Sequence, residues 1–321
     1  MITTFYFDHE MLKDNDMSLE IVNSTILDKW LKYGCLAIHQ DEFILIREQI
    51  NKGKIPKTLV QKWNIALTSF MKKTIDIEPR NVYSLCTSQD KCYKDTFNKY
   101  GIMTAIVDEV YLEIFDKKQT EIEIIKPIDI HKSNNFTLSE KHASTDIKKD
   151  DDINEIWNNI FKNLSLNTSK ITIIDRYLMK NVMDDYAKNK KTSIDTLAEL
   201  LSKNNKKINV VIYSACDING EITNAERVKD YLNNSLRNKP YVKERIQFEV
   251  NYCANRFFSN EAHDRMIVFD KHAVQIGNGV DIFRVGGINN CHLNVKNIHS
   301  TNFDATYKTL SKNKSRGLAS L

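Results

Sequence analysis

The stretch "NEAHDRMIVFDKHAVQIGNGVDIF", Asn260–Phe283, decides how the second half of this chain is read. Two short apolar runs, "MIVF" and "AVQI", are separated by three polar residues, which predicts a pair of strands hinged at Asp270-Lys271-His272. His263 and Arg265 stand one residue apart before the first run, and residues at that spacing on a strand share a face. The glycines Gly277 and Gly279 follow, in a chain with only 9 glycines.

His263, Arg265, Asp270 and Gly277 form the pattern H-x-R-x4-D-x6-G. A guanidinium can hold the non-bridging oxygens of a phosphate through two parallel hydrogen bonds and stabilise charge that builds on them. An imidazole beside it can attack phosphorus or protonate the leaving oxygen. Asp270 is the expected orienting carboxylate, and Asn278 and Asp281 are expected at the polar rim. The plain alternative for His263 and Arg265 is a hydrogen-bonded structural pair at a strand start. His272, in the turn, is expected to be exposed.

Upstream, "SKITIIDRYL" reads as a buried strand ending in Asp175-Arg176-Tyr177. Ligand-facing residues of open α/β sheets collect at such ends, so Arg176 is a candidate second phosphate anchor, or else one half of a solvated turn pair. Arg256 is a weaker candidate for the same cleft. "INEIWNNIFKNL" and "SIDTLAELLSK" have helical spacing, the latter with a cap at Thr192 or Ser193, and "INVVIYSA" and "RIQFEVNY" read as strands. Residues 132–152, "KSNNFTLSEKHASTDIKKDDD", are polar and predict a linker or mobile loop. Residues 1–131 alternate strand-like runs ("TTFYFDH", "CLAIH", "VYSLCT", "GIMTAIV", "EIEIIKPIDI") with helices over Ser18–Tyr33 and Lys57–Lys72. The expected architecture is α/β in two domains, 1–131 and 153–321.

The spacing around His263 resembles the phospholipase D superfamily signature, H-x-K-x4-D-x6-G-S-x-N. Arg265 stands in place of the lysine, Asn278 in place of the serine, and Val280 at the final polar position. "HDRMIVFDKHAVQIGNGVDIFR" with "ITIIDRYL" is similar, more narrowly, to the phospholipase D-like domain found C-terminal to microtubule-interacting-and-trafficking domains and to its bacterial relatives. The resemblance covers about residues 150–300. It implies a phospholipase D-like α/β sandwich and a metal-independent phosphodiesterase, a nuclease of bacterial anti-phage defence, with no cofactor. Superfamily enzymes use two histidines, and no second H-x-[KR] occurs near His9, His39, His131, His142, His272, His292 or His299. A homodimer pairing two copies of His263 is therefore implied, with nucleic acid as ligand and a partner protein for residues 1–131. The rival is a catalytically silent phospholipase D-like module that binds phosphate groups of nucleic acid or lipid or assembles a complex.

A second alternative lies in the first domain. Asp8, Asp90 and Asp108 fall at or near strand ends, where carboxylates can gather a divalent cation as in PIN-like nucleases. The whole chain adds few constraints. Its 46 basic and 42 acidic residues give a net charge of +4, so any polyanion surface must be local. The 6 cysteines make no CxxC pair, which disfavours structural zinc and fits a reducing cytoplasm. "MITTFYFDHEML" lacks the form of a signal peptide, and no apolar run is long enough to span a bilayer.

Overall fold

The computed structural model describes residues 2–76, 93–112, 122–218, 221–260 and 265–315. It is a mixed α/β protein of two compact units, Met1–Lys141 and His142–Leu321.

In the first unit a parallel sheet has the order β3-β2-β1-β4-β5, with β1 (Thr3–Tyr6), β2 (Gly34–His39), β3 (Lys72–Ile75), β4 (Thr104–Ile106) and β5 (Glu123–Ile125). Successive side chains of a strand face opposite ways, and both faces here are covered. Phe5, Leu36 and Ile38 pack into one core with Trp30 of α1 (Glu20–Tyr33), Ile46 and Ile50 of α2 (Glu42–Lys52) and Trp63 of α3 (Lys57–Ser69). Tyr6 and Ala37 enter the other core, with Phe97 of α4 (Tyr93–Tyr100). The two tryptophans are fully buried without stranding their indole N–H groups: Trp30 donates to Met71 O (2.8 Å) and Trp63 to Asn23 Oδ1 (2.8 Å). Strand β3 was not visible in the sequence, because "KKTI" carries little apolar signal. "VYSLCT", expected as a strand, lies outside the described residues.

The expected linker is folded, which corrects the reading of 132–152. Its first part forms α5 (Asn134–Ala143), and Ser144–Ile147 forms β6, the edge strand of the second unit's sheet. The low apolar content misled because an edge strand exposes most of its side chains, and only Ile147 of β6 is buried. The boundary between the units falls at 141/142.

The second unit is built on a seven-stranded mixed sheet, β11-β8-β7-β12-β13-β14-β6. Its strands are β7 (Lys170–Ile174), β8 (Ile208–Ala215), β11 (Ile246–Cys253), β12 (Met266–Phe269), β13 (His272–Ile276) and β14 (Cys291–Asn297), besides β6. A separate two-residue ladder joins β9 (Asp217–Ile218) to β10 (Glu221–Ile222). Strands β7, β8 and β11 are parallel, and β12 runs antiparallel to β7, so the chain leaves β7 on one side and returns on the other. Between β7 and β8 lie α6 (Leu178–Ala187) and α7 (Ser193–Ser202), the latter capped by Thr192, one of the two expected caps, in a capping box with Asp195. A short α8 (Arg256–Asn260) follows β11, and α9 (Phe303–Lys312) places Phe303 and Leu310 against Ile174, Tyr213, Met266 and Ala273.

The hairpin β12–β13 forms as the alternation suggests, with Phe269 paired to His272. Its turn is only Asp270-Lys271. His272 is the first residue of β13 and fully buried, not exposed, because the strand begins one residue earlier than expected. Asp270 has φ +49, a left-handed conformation that aspartate tolerates better than most residues.

Candidate functional site

The β-branched run "KITII" makes β7 a buried strand, and the chain leaves it at Asp175. This is the point where the next strands diverge to either side of β7, which is where open sheets leave a crevice. Asp175 is 3% exposed and turns inward. Its Oδ1 accepts the Tyr177 N–H (3.0 Å) and its Oδ2 the Val280 N–H (2.9 Å). Burial pushes its carboxyl up to about 6, against the opposing pull of those two N–H groups and of Arg265.

Arg265 sits one step beyond the Ile174–Met266 pair, which places it across from Asp175. Its Nε lies 4.0 Å from Asp175 Oδ1, and its Nη1 donates to Gly277 O (3.2 Å). The guanidinium carbon is 5.0 Å from the centre of the Tyr177 ring. The turn that covers this pair needs a glycine. Gly279 has φ +60, and a Cβ there would stand 2.7 Å from Arg265 Cδ and 2.9 Å from Asp175 Cγ.

Beside Arg265 opens a polar recess of about 290 Å³, bordered by Asn278, Asp281, Arg284, Asp185 and Lys190. Asp281 accepts from Asn181 Nδ2 at both oxygens (3.0 and 2.7 Å), and its carboxyl is raised, mainly by burial. Arg284 donates twice to the buried Asp185 (2.5 and 2.7 Å), so much of its charge is spent on structure. Arg176 lies on the Tyr177 ring as well, its guanidinium carbon 5.0 Å from the centre. Its Nε is buried and has no hydrogen-bond partner among the described residues.

The structure thus brings together Arg265, Asn278 and Asp281 at the recess, and Arg176 with Arg265 at Tyr177. Arg256 is apart from the recess lining and stacks on Phe257, 5.1 Å from its centre. Asp270 is not with them. It is exposed in the hairpin turn at the far end of β12, roughly 16 Å from Arg265 at about 3.3 Å per strand residue. Asp270, expected to orient the imidazole of His263, does not face Arg265, and the carboxylate that does is Asp175. His263 lies outside the described residues. Asp175 was legible as the end of a buried strand but not singled out; Asn181 and Asp185 carried no signal, because helix positions meet Asp281 and Arg284 only through tertiary packing.

Two other places gather charged side chains. A larger recess of about 710 Å³ opens at the N-terminal ends of β8 and β11, beside Lys207, Lys243 and Arg245, the opposite end of the sheet from Asp175. In the first unit, Asp8 and Asp108 follow the adjacent strands β1 and β4. Asp8 Oδ1 accepts the N–H groups of Glu10 (3.1 Å) and Met11 (3.2 Å), and Asp108 Oδ1 that of Val110 (2.9 Å). Burial raises the Asp108 carboxyl, the nearby Asp14 and Glu10 adding to it. Asp90 lies outside the described residues. Among the described residues no three histidine, cysteine or carboxylate side chains converge to hold a metal ion, and no helix is long and apolar enough to cross a membrane.

What Arg265 and its surroundings can do is bind an anion. A guanidinium pinned by a backbone carbonyl, an aromatic face and a buried carboxylate loses little freedom when a phosphate docks. Comparison with protein-family models, with curated proteins and with solved structures finds no match to this chain.

Proposed function

We propose that residues 142–321 form a phosphodiester-binding unit in which Arg265 clamps the phosphate, and that the unit cleaves its ligand without metal through His263. The observation that carries the reading is the pinned Arg265 at the rim of a polar recess, at the strand end where the sheet opens. In this mechanism an imidazole nitrogen of His263 bonds to phosphorus as the P–O bond to the leaving alcohol breaks. The leaving oxygen takes a proton from the imidazolium of a second copy's His263. Water then displaces the first imidazole, and its proton passes to the second copy's imidazole, now neutral. Arg265 stabilises the charge on the non-bridging oxygens in both steps. A nuclease of anti-phage defence, working as a homodimer in the cytoplasm, with residues 1–131 recruiting a partner, is the biological form of this proposal.

A second reading is a binding module without turnover. It is favoured by Val280, whose side chain is 1% exposed in the core where the phospholipase D signature has a polar group. The two separate in one experiment. With EDTA present, wild-type protein cleaves a labelled oligonucleotide, and His263→Ala abolishes cleavage while the native mass stays that of a dimer. Binding without cleavage by the wild type supports the module. Cleavage that requires magnesium refutes the metal-free mechanism and redirects attention to the first unit's carboxylates.

A further inference from the structure

We infer that the ligand of this site is a single, unpaired polynucleotide strand, held at two successive phosphates by Arg265 and Arg176; the inference rests on the phosphate-clamp reading of Arg265. Two guanidinium carbons each lie 5.0 Å from the centre of one ring, that of Tyr177, so they are no farther apart than twice that distance. Tyr177 itself is fixed, packed against the core cluster that includes Ile174, Tyr213 and Met266. Both cations therefore lie within a span that neighbouring phosphates of one strand can cover. Arg176 Nε is buried and has no hydrogen-bond partner among the described residues, while its guanidinium is held at the same ring as that of Arg265.

The surroundings favour a strand over the other chains that carry several phosphates. Phe257 packs on the same core cluster as Tyr177 and carries Arg256 on its face, so aromatic rings and arginines alternate at the ends of β7 and β11. That combination tracks an unpaired backbone, whose phosphates adjust their spacing and whose bases are free to contact a ring. A lipid surface asks for apolar side chains that enter the bilayer, and among the described residues of this unit only Val285 is a well-exposed large apolar side chain. Duplex holds its phosphates at fixed positions across a groove and keeps its bases from Phe257.

The test is fluorescence anisotropy on the full chain with a labelled single-stranded 12-mer, the same sequence as duplex, and vesicles containing phosphatidylinositol bisphosphate, each over a salt series. The single strand is expected to bind tightest. Arg176→Gln is expected to weaken it about tenfold and to lower the slope of log affinity against log salt by about 0.7, the value of one phosphate contact on a single strand. Competition by inorganic phosphate should be unchanged in that variant and lost in Arg265→Ala. Arg176→Lys, which keeps the charge, should restore the salt slope and guards against a folding defect. Tighter binding of duplex or vesicles, or an Arg176→Gln slope equal to that of wild type, overturns the inference. Phosphate competition that survives Arg265→Ala instead overturns the clamp on which it rests.

Discussion

Gly279→Ala is the sharpest probe of the site's construction, because the structure sets its cost against a control. Gly279 has φ +60, where an alanine costs about 1–2 kcal/mol from backbone strain alone. Its Cβ would also stand 2.7 Å from Arg265 Cδ and 2.9 Å from Asp175 Cγ, and nearer still to Asp175 Oδ2. A buried carboxylate cannot yield like an exposed side chain. Moving it weakens its bond from the Val280 N–H, and a hydrogen bond to a charged group contributes about 1.5–3 kcal/mol. The expected loss is about 3–5 kcal/mol in all. Gly286 has φ +70, but nothing lies within 4 Å of its Cβ position, so Gly286→Ala carries only the backbone cost of about 1–2 kcal/mol. With a urea dependence of roughly 2 kcal/mol per molar, the midpoints of the two variants should differ by about 1 M. Urea unfolding followed by circular dichroism measures this, with hydrogen exchange of β7 and β12 to confirm that the loss is in the second unit. Equal losses in the two variants would refute the claim that Gly279 is required by the approach of Asp175.

The raised carboxyl of Asp175 makes stability depend on pH. Its value of about 6 in the folded chain exceeds the ordinary 3.8, so folding favours the protonated form. That contribution is complete below pH 3.8 and is lost as pH rises towards 6, by at most about 3 kcal/mol. Urea midpoints of wild type should therefore fall between pH 4 and 6 relative to Asp175→Asn; parallel profiles would exclude it. Protonation of Asp175 also leaves Arg265 more available to an anion, so binding of a phosphodiester strand should tighten below pH 6 in wild type, and the excess over Asp175→Asn isolates this carboxylate from other titrating groups. Asp270→Gly should retain strand binding and cleavage and hold or raise stability by about 1 kcal/mol, since φ +49 suits glycine. Loss of cleavage with an intact fold would return Asp270 to the site.

Periodicity alone determined much of this protein. The alternation in β12 and β13, the apolar run of β7, and the spacing of Trp30 and Trp63 on their helices are local signals, so their elements were legible. Arg265, Asn278 and Asp281 were legible too, because two strands and a turn bring residues close in sequence to one recess. Where the signal failed, the deciding partner was distant. Ser144–Ile147 reads as linker until β14 offers it hydrogen bonds, and "KKTI" reads as polar until β2 pairs with it. Asp270 looked like the orienting carboxylate because spacing counts residues and not distance; an extended strand carries it away from Arg265. Asp175 lies 90 positions earlier in the chain and reaches Arg265 only through the pairing of β7 with β12. Sequence fixes which residues a strand or turn presents on one face, while only the order of strands in the sheet decides which carboxylate that arginine meets.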